Sequence, residues 1–243
     1  MLHSGLRART RFPWVPVDFR PLMTACAIVL VVTTAWTRAA DTNAPAAEST
    51  TLDRCELYPL AVGTQWIFQS GPLIVREKVT AHEEMQGELC ARIDTLYEDR
   101  VVSFEHLAVR SDGVYRVAVS GKPVEPPLKF LSLPPQAGAK WSVASKVADK
   151  MIRGDFVASE GQFHVRSSNG DRDQTFKTHR VTGENFQAAG ESVSMSYDFV
   201  PQFGKVRQTA RTAGLETTME LKDFHEPGQT PTRTARGGSN LLR

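Results

Sequence analysis

The sequence predicts an all-β fold, an antiparallel curved sheet arranged either as a sandwich or as a partly closed barrel. Three observations predict it. Hydrophobic residues alternate with polar ones at a period close to two, turn signals containing glycine recur at spacings of roughly 8–15 residues, and no stretch has the length and period of an amphipathic helix. Antiparallel strands with one buried face produce this combination.

Three segments show the alternation most clearly. In SVSMSYDFV (residues 192–200), the apolar residues alternate with serines and an aspartate. Residues 101–110 (VVSFEHLAVR) and 215–224 (LETTMELKDF) follow the same rule. Because successive side chains of a strand point to opposite faces, each segment is expected to bury one face and to expose the other.

The first 39 residues have the three parts of a secretory signal peptide. Arginines precede an uncharged run of 15 residues at 22–36, and the small residues Thr37 and Ala39 would place the cleavage before Ala40. A membrane-spanning helix needs about 20 apolar residues, so a cleaved signal is favoured over an uncleaved anchor. The sequence therefore predicts an exported protein, periplasmic or extracellular, with no stable membrane span after cleavage.

Removal of residues 1–39 changes the charge of the protein. It takes away five arginines and one aspartate, so 29 basic and 27 acidic residues become 24 and 26. The basic character thus belongs mainly to the targeting segment, and no nucleic-acid partner is predicted. Residues 40–52 and 225–243 are rich in small and polar residues and are expected to be a flexible leader and a disordered tail. The β-rich domain is then 53–224.

Two cysteines, Cys55 and Cys90, remain in the mature chain. An even number of cysteines in an oxidising compartment predicts a disulfide bond between them, with two separately buried thiols as the alternative. Their spacing fits no metal site.

A short pattern, Pro-x-x-x-Gly-x-x-Trp, occurs twice, at residues 59–66 and 134–141. Each copy reads as a turn that delivers a tryptophan into the core, because proline restricts φ and glycine accepts a positive φ. The domain is then either built from two similar halves, 57–122 and 132–224, or the match of three residue types is accidental.

The same motifs carry a family resemblance. The segments YPLAVGTQWIF, LSLPPQAGAKW, FVPQFGKVRQ and ETTMELKDF, in this order, resemble a group of secreted bacterial β-domain proteins of unknown function. The resemblance covers about residues 57–224. It implies a fold and a compartment, and it transfers no catalytic residue.

Several candidate sites fit plainer interpretations better. His82-Glu83-Glu84 lacks the second histidine of a zinc signature and is expected in a surface turn. His164, Arg166, Lys177 and His179 could line a basic cleft for an anion, although a solvated sheet face is favoured.

Residues 169–173 resemble a calcium loop with a misplaced glycine and read as a hairpin turn. The proline-rich stretch 123–135 is interpreted as a linker between the halves, with a lid or a partner-docking strand as the alternative. No catalytic, cofactor or metal residue is nominated.

The predicted function is a non-enzymatic, exported β-domain with a binding or structural role in the cell envelope. The alternative is a carrier that holds a lipid or another apolar molecule in a β-sheet cavity. The partner would accordingly be an envelope protein or an apolar small molecule. A hydrolase assembled only in three dimensions is the third possibility.

Overall fold

The computed structural model describes Leu52 and residues 55–165, 173–188 and 190–228. Every regular element in these residues is a β-strand, which confirms the predicted all-β class. The strands are β1 (Gln65–Ser70), β2 (Leu73–Met85), β3 (Glu88–Tyr97), β4 (Arg100–Arg110), β5 (Gly113–Val119), β6 (Lys122–Ser132), β7 (Lys140–Val147), β8 (Lys150–Val165), β9 (Gln174–Ala188), β10 (Glu191–Val200), β11 (Gly204–Thr212) and β12 (Leu215–His225). No described helix is long and apolar enough to span a membrane.

The twelve strands form one closed antiparallel barrel. Each strand pairs with its neighbours in the chain, and β12 closes the sheet by pairing with β1. Tight turns make this meander possible. In the β2–β3 turn, Gln86 and Gly87 both have positive φ, and Ser120 and Gly121 repeat this between β5 and β6. Two residues with positive φ match the right-handed twist of the flanking strands.

Side chains fill the interior of the barrel. Tyr58 packs against aromatic residues of three strands, with ring centroids 5.4 Å from Trp66, 6.2 Å from Phe130 and 5.7 Å from Phe199. All four residues are buried. Tilted and edge-on contacts between rings are the favoured arrangements for aromatic pairs, so opposite walls of the barrel meet through packed aromatics.

The chain before β1 closes one end of the barrel, which we call the lower end. Leu57, Tyr58 and Leu60 are buried there. The backbone N–H of Gln202, in the β10–β11 turn, donates to the carbonyl of Glu56 over 2.7 Å. The other end, which carries the β1–β2, β3–β4 and β9–β10 turns, is called the upper end.

The two tryptophan turns have the same local geometry. Gly63 donates its backbone N–H to the carbonyl of Val79 over 2.9 Å, and Gly138 donates to Ala158 over 2.7 Å. Both glycines have positive φ, +99° and +83°. In each copy the carbonyl of the next residue accepts a bond from the same partner residue. The repeated sequence pattern therefore corresponds to a repeated turn within one continuous sheet.

The proline-rich stretch is not a linker, contrary to the interpretation from sequence. Its residues up to Ser132 belong to β6, which pairs with β5, and the apolar residues Leu128, Phe130 and Leu131 are buried. Pairing with β7 is short, because only Val124↔Val147 and Glu125↔Lys146 are matched among the described residues. Prolines lack the N–H that a ladder requires, so they are tolerated where strand pairing is missing.

The ends of the predicted domain differ slightly from the structure. Residues 1–39, with the predicted signal peptide, lie outside the described residues, as does the leader except Leu52, which is buried. Strand β12 ends at His225, and residues 226–228 follow it, so the described chain extends four residues into the predicted tail.

Candidate functional site

A buried ion pair lies inside the barrel. Lys205 Nζ on β11 donates to Glu77 Oε1 on β2 over 2.8 Å and to Gln208 Oε1 over 3.0 Å. The lysine side chain is 6% exposed and the glutamate side chain 7%. The lysine nitrogen also lies 5.3 Å from the centroid of the Phe68 ring. Charged groups are almost never buried this deeply unless they are paired.

A second ion pair lies beside the first. Arg116 Nε on β5 donates to Glu105 Oε2 on β4 over 2.5 Å, and the guanidinium carbon lies 5.4 Å from the Phe130 ring centroid. Burial disfavours the charge on Glu105, but the nearby charges of Arg116 and Lys205 outweigh it and lower the pKa of this carboxyl. Burial likewise disfavours the charge on Lys205, and Glu77 and Glu105 outweigh it and raise the pKa of the amine.

These four residues form what we call the interior network: Glu77, Glu105, Arg116 and Lys205. It holds two negative and two positive charges, so it is neutral as a whole. Tyr58 lies within its field, and burial, followed by the charge of Glu77, raises the pKa of its phenol well above the ordinary value. Both cations of the network are thus paired with carboxylates.

The sequence analysis did not find the interior network. The signal was present, because Glu77 alternates with Val75 and Val79 on β2, so it occupies an inward-facing position. Glu105 and His106 are neighbours in β4, so their side chains face opposite sides of the sheet. Glu105 lies in the interior, and His106 bonds through Nε2 to Glu83 Oε2 at 2.9 Å on the outer face.

A second polar cluster, centred on Asp198, lies on the outer face of the barrel wall. Asp198 accepts two bonds from Arg180, at 2.8 Å and 3.0 Å, and one from Thr178 Oγ1 at 3.0 Å. Arg207 adds a longer bond of 3.4 Å. These bonds to the carboxylate come from residues of β9 and β11, so the cluster joins β9, β10 and β11.

The predicted disulfide is not present in the structure. Both Cys55 and Cys90 are free and buried. Cys55 packs in the interior core, whereas Cys90 belongs to a small cluster with Ala108 and Val117 on the outer face, so the barrel wall lies between the two thiols. Burial raises the pKa of Cys90 to about 11, so it is not a reactive thiolate at neutral pH.

The predicted basic cleft is a sheet face of the β8–β9 hairpin. Strand register places Lys177 opposite Gln162 and His179 opposite Glu160. Lys177 and His164 are exposed, and only His179 is partly buried, which lowers its pKa. Arg166 lies outside the described residues.

Other sequence candidates are also accounted for. His82 lies in β2 rather than in a turn, and its Nε2 is 2.8 Å from the carbonyl of Leu60. Most of the calcium-like loop, 169–172, lies outside the described residues. Within the part of the chain that is described, no three His, Cys, Asp or Glu residues are grouped to hold a metal.

A groove of about 310 Å³ lies on the surface beside the β1–β2 and β3–β4 turns. Its walls include Leu73, Ile74 and Tyr97, and Ile74 is 51% exposed. An ion pair of 2.9 Å between Arg76 and Asp99 borders it. The groove is separate from the interior network, which points into the barrel.

Comparison with known proteins gives little further information. No family model and no curated protein matches the chain. Two crystal structures align with it. One, from Bacteroides fragilis, is described as exported and YmcC-like in fold; it is 12% identical and the alignment covers 70% of this chain and 99% of that one, with a TM-score of 0.35. The other, from Parabacteroides distasonis, is described as a lipoprotein, with 10% identity, 70% and 98% coverage, and a TM-score of 0.34. Scores this low carry no argument about what this chain does.

Proposed function

We propose that this protein is an exported, non-enzymatic β-barrel that acts by binding in the cell envelope. The predicted signal segment supports export. The interior network carries the second part of the proposal, because each of its carboxylates is paired with a cation, Glu77 with Lys205 and Glu105 with Arg116, although the second oxygen of Glu77, Oε2, has no hydrogen-bond partner among the described residues. A general base must be free to accept a proton from a substrate, and a nucleophile must lie beside such a base.

Export is tested with a reporter fusion. Residues 1–52 are fused to alkaline phosphatase, an enzyme that is active only after it leaves the reducing cytoplasm. We expect phosphatase activity from this fusion and its loss when Val31→Asp interrupts the apolar run. Activity that is absent from the unchanged fusion would contradict export.

Catalysis is tested separately with the mature protein. Ester, glycoside, phosphate and peptide substrates are offered to the wild type and to Glu105→Gln. We expect turnover no faster than the blank for both proteins. Turnover by the wild type that Glu105→Gln abolishes would overturn the non-enzymatic proposal and assign the network a catalytic role.

A carrier of an apolar molecule is the second candidate, and one observation favours it. Inward-facing residues near the upper end, Val193, Met195 and Met219, are only partly buried, although they pack against the core. Methionine side chains adapt to different apolar shapes. Native mass spectrometry of protein recovered from the envelope distinguishes the candidates: a bound small mass released on denaturation supports a carrier, and an unliganded mass opposes it.

A further inference from the structure

The β8–β9 hairpin extends beyond the closed wall of the barrel. In β8, backbone bonds to β7 and to the loop before it end at Ala158. In β9, pairing with β10 begins only at His179. From these two residues toward the hairpin turn, the described parts of β8 and β9 pair with each other alone. We call this extension the arm; it comprises residues 159–165 of β8 and 174–178 of β9.

The arm packs against the barrel at β11 and at the β10–β11 turn. Phe163 and Val165 are 3% and 6% exposed, and both lie beside Val206 around one small apolar cavity. The rings of Phe176 and Phe203 meet edge to face, with centroids 5.8 Å apart. These contacts hold the arm in place, so a partner that binds it would not have to order it first.

Ala158 shows which side of β8 faces away from β9. Its N–H donates to the carbonyl of Ala139 over 2.8 Å, and its own carbonyl accepts from Gly138 over 2.7 Å, so both groups face the β7 side. In an antiparallel strand, residues two apart direct their peptide groups to the same side. The β8–β9 register has no shift between Asp155 and Val165, so this rule holds throughout the arm.

Glu160, Gln162 and His164 consequently direct their N–H and carbonyl groups away from β9, at an edge where no other described strand pairs. An unpaired edge of this kind is a template for another extended chain. Proteins usually protect such edges with lysine, proline or a bulge, and residues 159–165 contain none of these. The opposite edge of the arm, in β9, has the exposed Lys177. The β8 edge is therefore the side of the arm that is open to pairing.

The sequence of the β8 edge is complementary to itself. When two copies pair antiparallel with Gln162 on the twofold axis, Glu160 of each copy lies opposite His164 of the other. The three side chains are exposed and lie on one face of β8. Within its own chain, His164 Nδ1 is 2.8 Å from Thr175 Oγ1, which leaves Nε2 for the carboxylate of the second copy. A carboxylate opposite an imidazole is a favourable cross-strand pair, and here it occurs twice by symmetry.

We propose that two copies of this protein associate through residues 159–165 of β8 and form one sheet that continues from barrel to barrel. The proposed register places Glu160, Gln162 and His164 in hydrogen-bonded pairs, and these are the residues whose peptide groups point outward. Each of the three pairs exchanges two main-chain bonds. Main-chain bonds thus supply the affinity, and the side chains of Glu160 and His164 select the second copy. Self-association goes beyond the function proposed above and does not depend on it.

Sedimentation equilibrium of the mature protein tests the pairing of the side chains. We expect a monomer–dimer equilibrium whose dissociation constant rises at least about tenfold in Glu160→Lys, which places two ammonium groups opposite the two imidazoles. The exchange Glu160→Lys/His164→Glu puts opposite charges across the axis again and is expected to restore the dimer. Glu191→Lys makes the same charge change at an exposed position at the upper end of the barrel, and it is expected to dimerise as the wild type does.

Variants of Gln162 test the main-chain bonds and the register. Gln162→Pro removes an N–H that points away from β9, so the monomer is expected to fold, as thermal unfolding can verify, while the dimer is lost. Gln162→Ala keeps this N–H and is expected to dimerise. Gln162→Cys is expected to form a disulfide-linked dimer on mild oxidation, since the Cα atoms of a hydrogen-bonded pair are about 5.5 Å apart. His164→Cys is expected not to do so, because its counterpart lies four residues away along the paired strand.

A wild type that stays monomeric up to about 1 mM would overturn the proposal, as would a dimer that Gln162→Pro leaves intact. Cross-linking of His164→Cys in place of Gln162→Cys would contradict the register. A monomeric wild type whose residues 159–165 exchange hydrogen more slowly in an envelope extract would assign the edge to another protein and likewise overturn self-association. None of these measurements uses turnover or the phosphatase fusion, so self-association can fail while the exported, non-enzymatic function stands, and the reverse also holds.

Discussion

The two tryptophan turns have the same backbone geometry, but the residues opposite the two tryptophans differ. Trp66 pairs across the sheet with Glu77, and Trp141 pairs with Phe156. The same position relative to the turn therefore holds a carboxylate in one half of the barrel and an aromatic ring in the other.

The partner of the carboxylate shows the same contrast. Strands β5 and β11 both begin with a glycine, Gly113 and Gly204. The residue after each glycine is buried inside the barrel. That residue is Val114 in β5 and Lys205 in β11. The barrel thus accommodates apolar residues at both corresponding positions, so its fold does not require the Glu77–Lys205 pair.

Because apolar residues occupy the corresponding positions, the buried ion pair is not needed to fill the interior. Removing two charges from water carries a desolvation cost that their mutual attraction often only offsets. The apolar residues at the corresponding positions, Phe156 and Val114, show the alternative that this architecture permits. The pair is thus better explained by specificity of assembly or by binding than by stability.

The largest expected effect comes from breaking the interior pair. Lys205→Met alone leaves the Glu77 carboxylate buried without a cation, so we expect it to lower the free energy of unfolding by about 3–5 kcal/mol. The double variant Glu77→Leu/Lys205→Met, which makes both positions apolar as Phe156 and Val114 are, is expected to recover most of this loss. Urea unfolding followed by tryptophan fluorescence measures both.

The outcome of this cycle decides the comparison. Recovery in the double variant means that the apolar residues of each half are a valid template for the charged position in the other half. A double variant that is as unstable as the single one would show that the two halves are not interchangeable at these positions.

The two tryptophans are expected to differ as well. Trp66 is fully buried and donates through Nε1 to the carbonyl of Phe203 over 2.6 Å, whereas Trp141 is only partly buried. We expect Trp66→Phe to cost about 2–3 kcal/mol and Trp141→Phe about 1 kcal/mol, because each variant loses one bond to a backbone carbonyl but only Trp66→Phe leaves its cavity in a fully buried position. Thermal unfolding of the two variants measures the difference, and equal losses would contradict it.

The two turn glycines give a smaller contrast. Gly63 has φ of +99°, and a Cβ there would lie 3.4 Å from Cα of Pro227, whereas a Cβ at Gly138, with φ of +83°, would meet nothing within 4 Å. Alanine is strained at positive φ in both turns, by about 1–2 kcal/mol. We expect Gly63→Ala to be the more destabilising by several tenths of a kcal/mol in urea unfolding. A larger loss for Gly138→Ala would reverse the assignment.

The smallest expected effect is on the free energy of unfolding at low pH. The pKa of Glu105 is lowered in the folded state, since the cations beside it outweigh its burial. Its contribution to stability is therefore complete above the pKa of the unfolded chain and is lost as the pH falls through the folded pKa. We expect stability to decline below about pH 5 and Glu105→Gln to flatten that decline. Urea midpoints at several pH values measure it, and parallel curves for both proteins would show that Glu105 does not contribute.

Much of the fold could be predicted from the sequence, but less of the candidate site. The alternation in residues 192–200 and the turn at Gly121 were sufficient for strands and hairpins, because both depend on local backbone sterics. The interior network could not be assigned, since Glu77 and Lys205 are 128 residues apart and meet only after the sheet closes. Residues 123–135 were misread because prolines are unfavourable in a central strand, and the short pairing of β6 with β7 was not visible locally.

By itself the sequence determined the all-β class, the positions of the turns and the alternation of faces, since side-chain periodicity and positive φ are properties of a few neighbouring residues. The tertiary structure alone decided that the sheet closes into a barrel, that Cys55 and Cys90 lie on opposite sides of its wall, and that β6 and β7 meet over only two matched pairs. These features depend on which distant strands become neighbours, and that choice is made by packing of the whole interior rather than by any one segment.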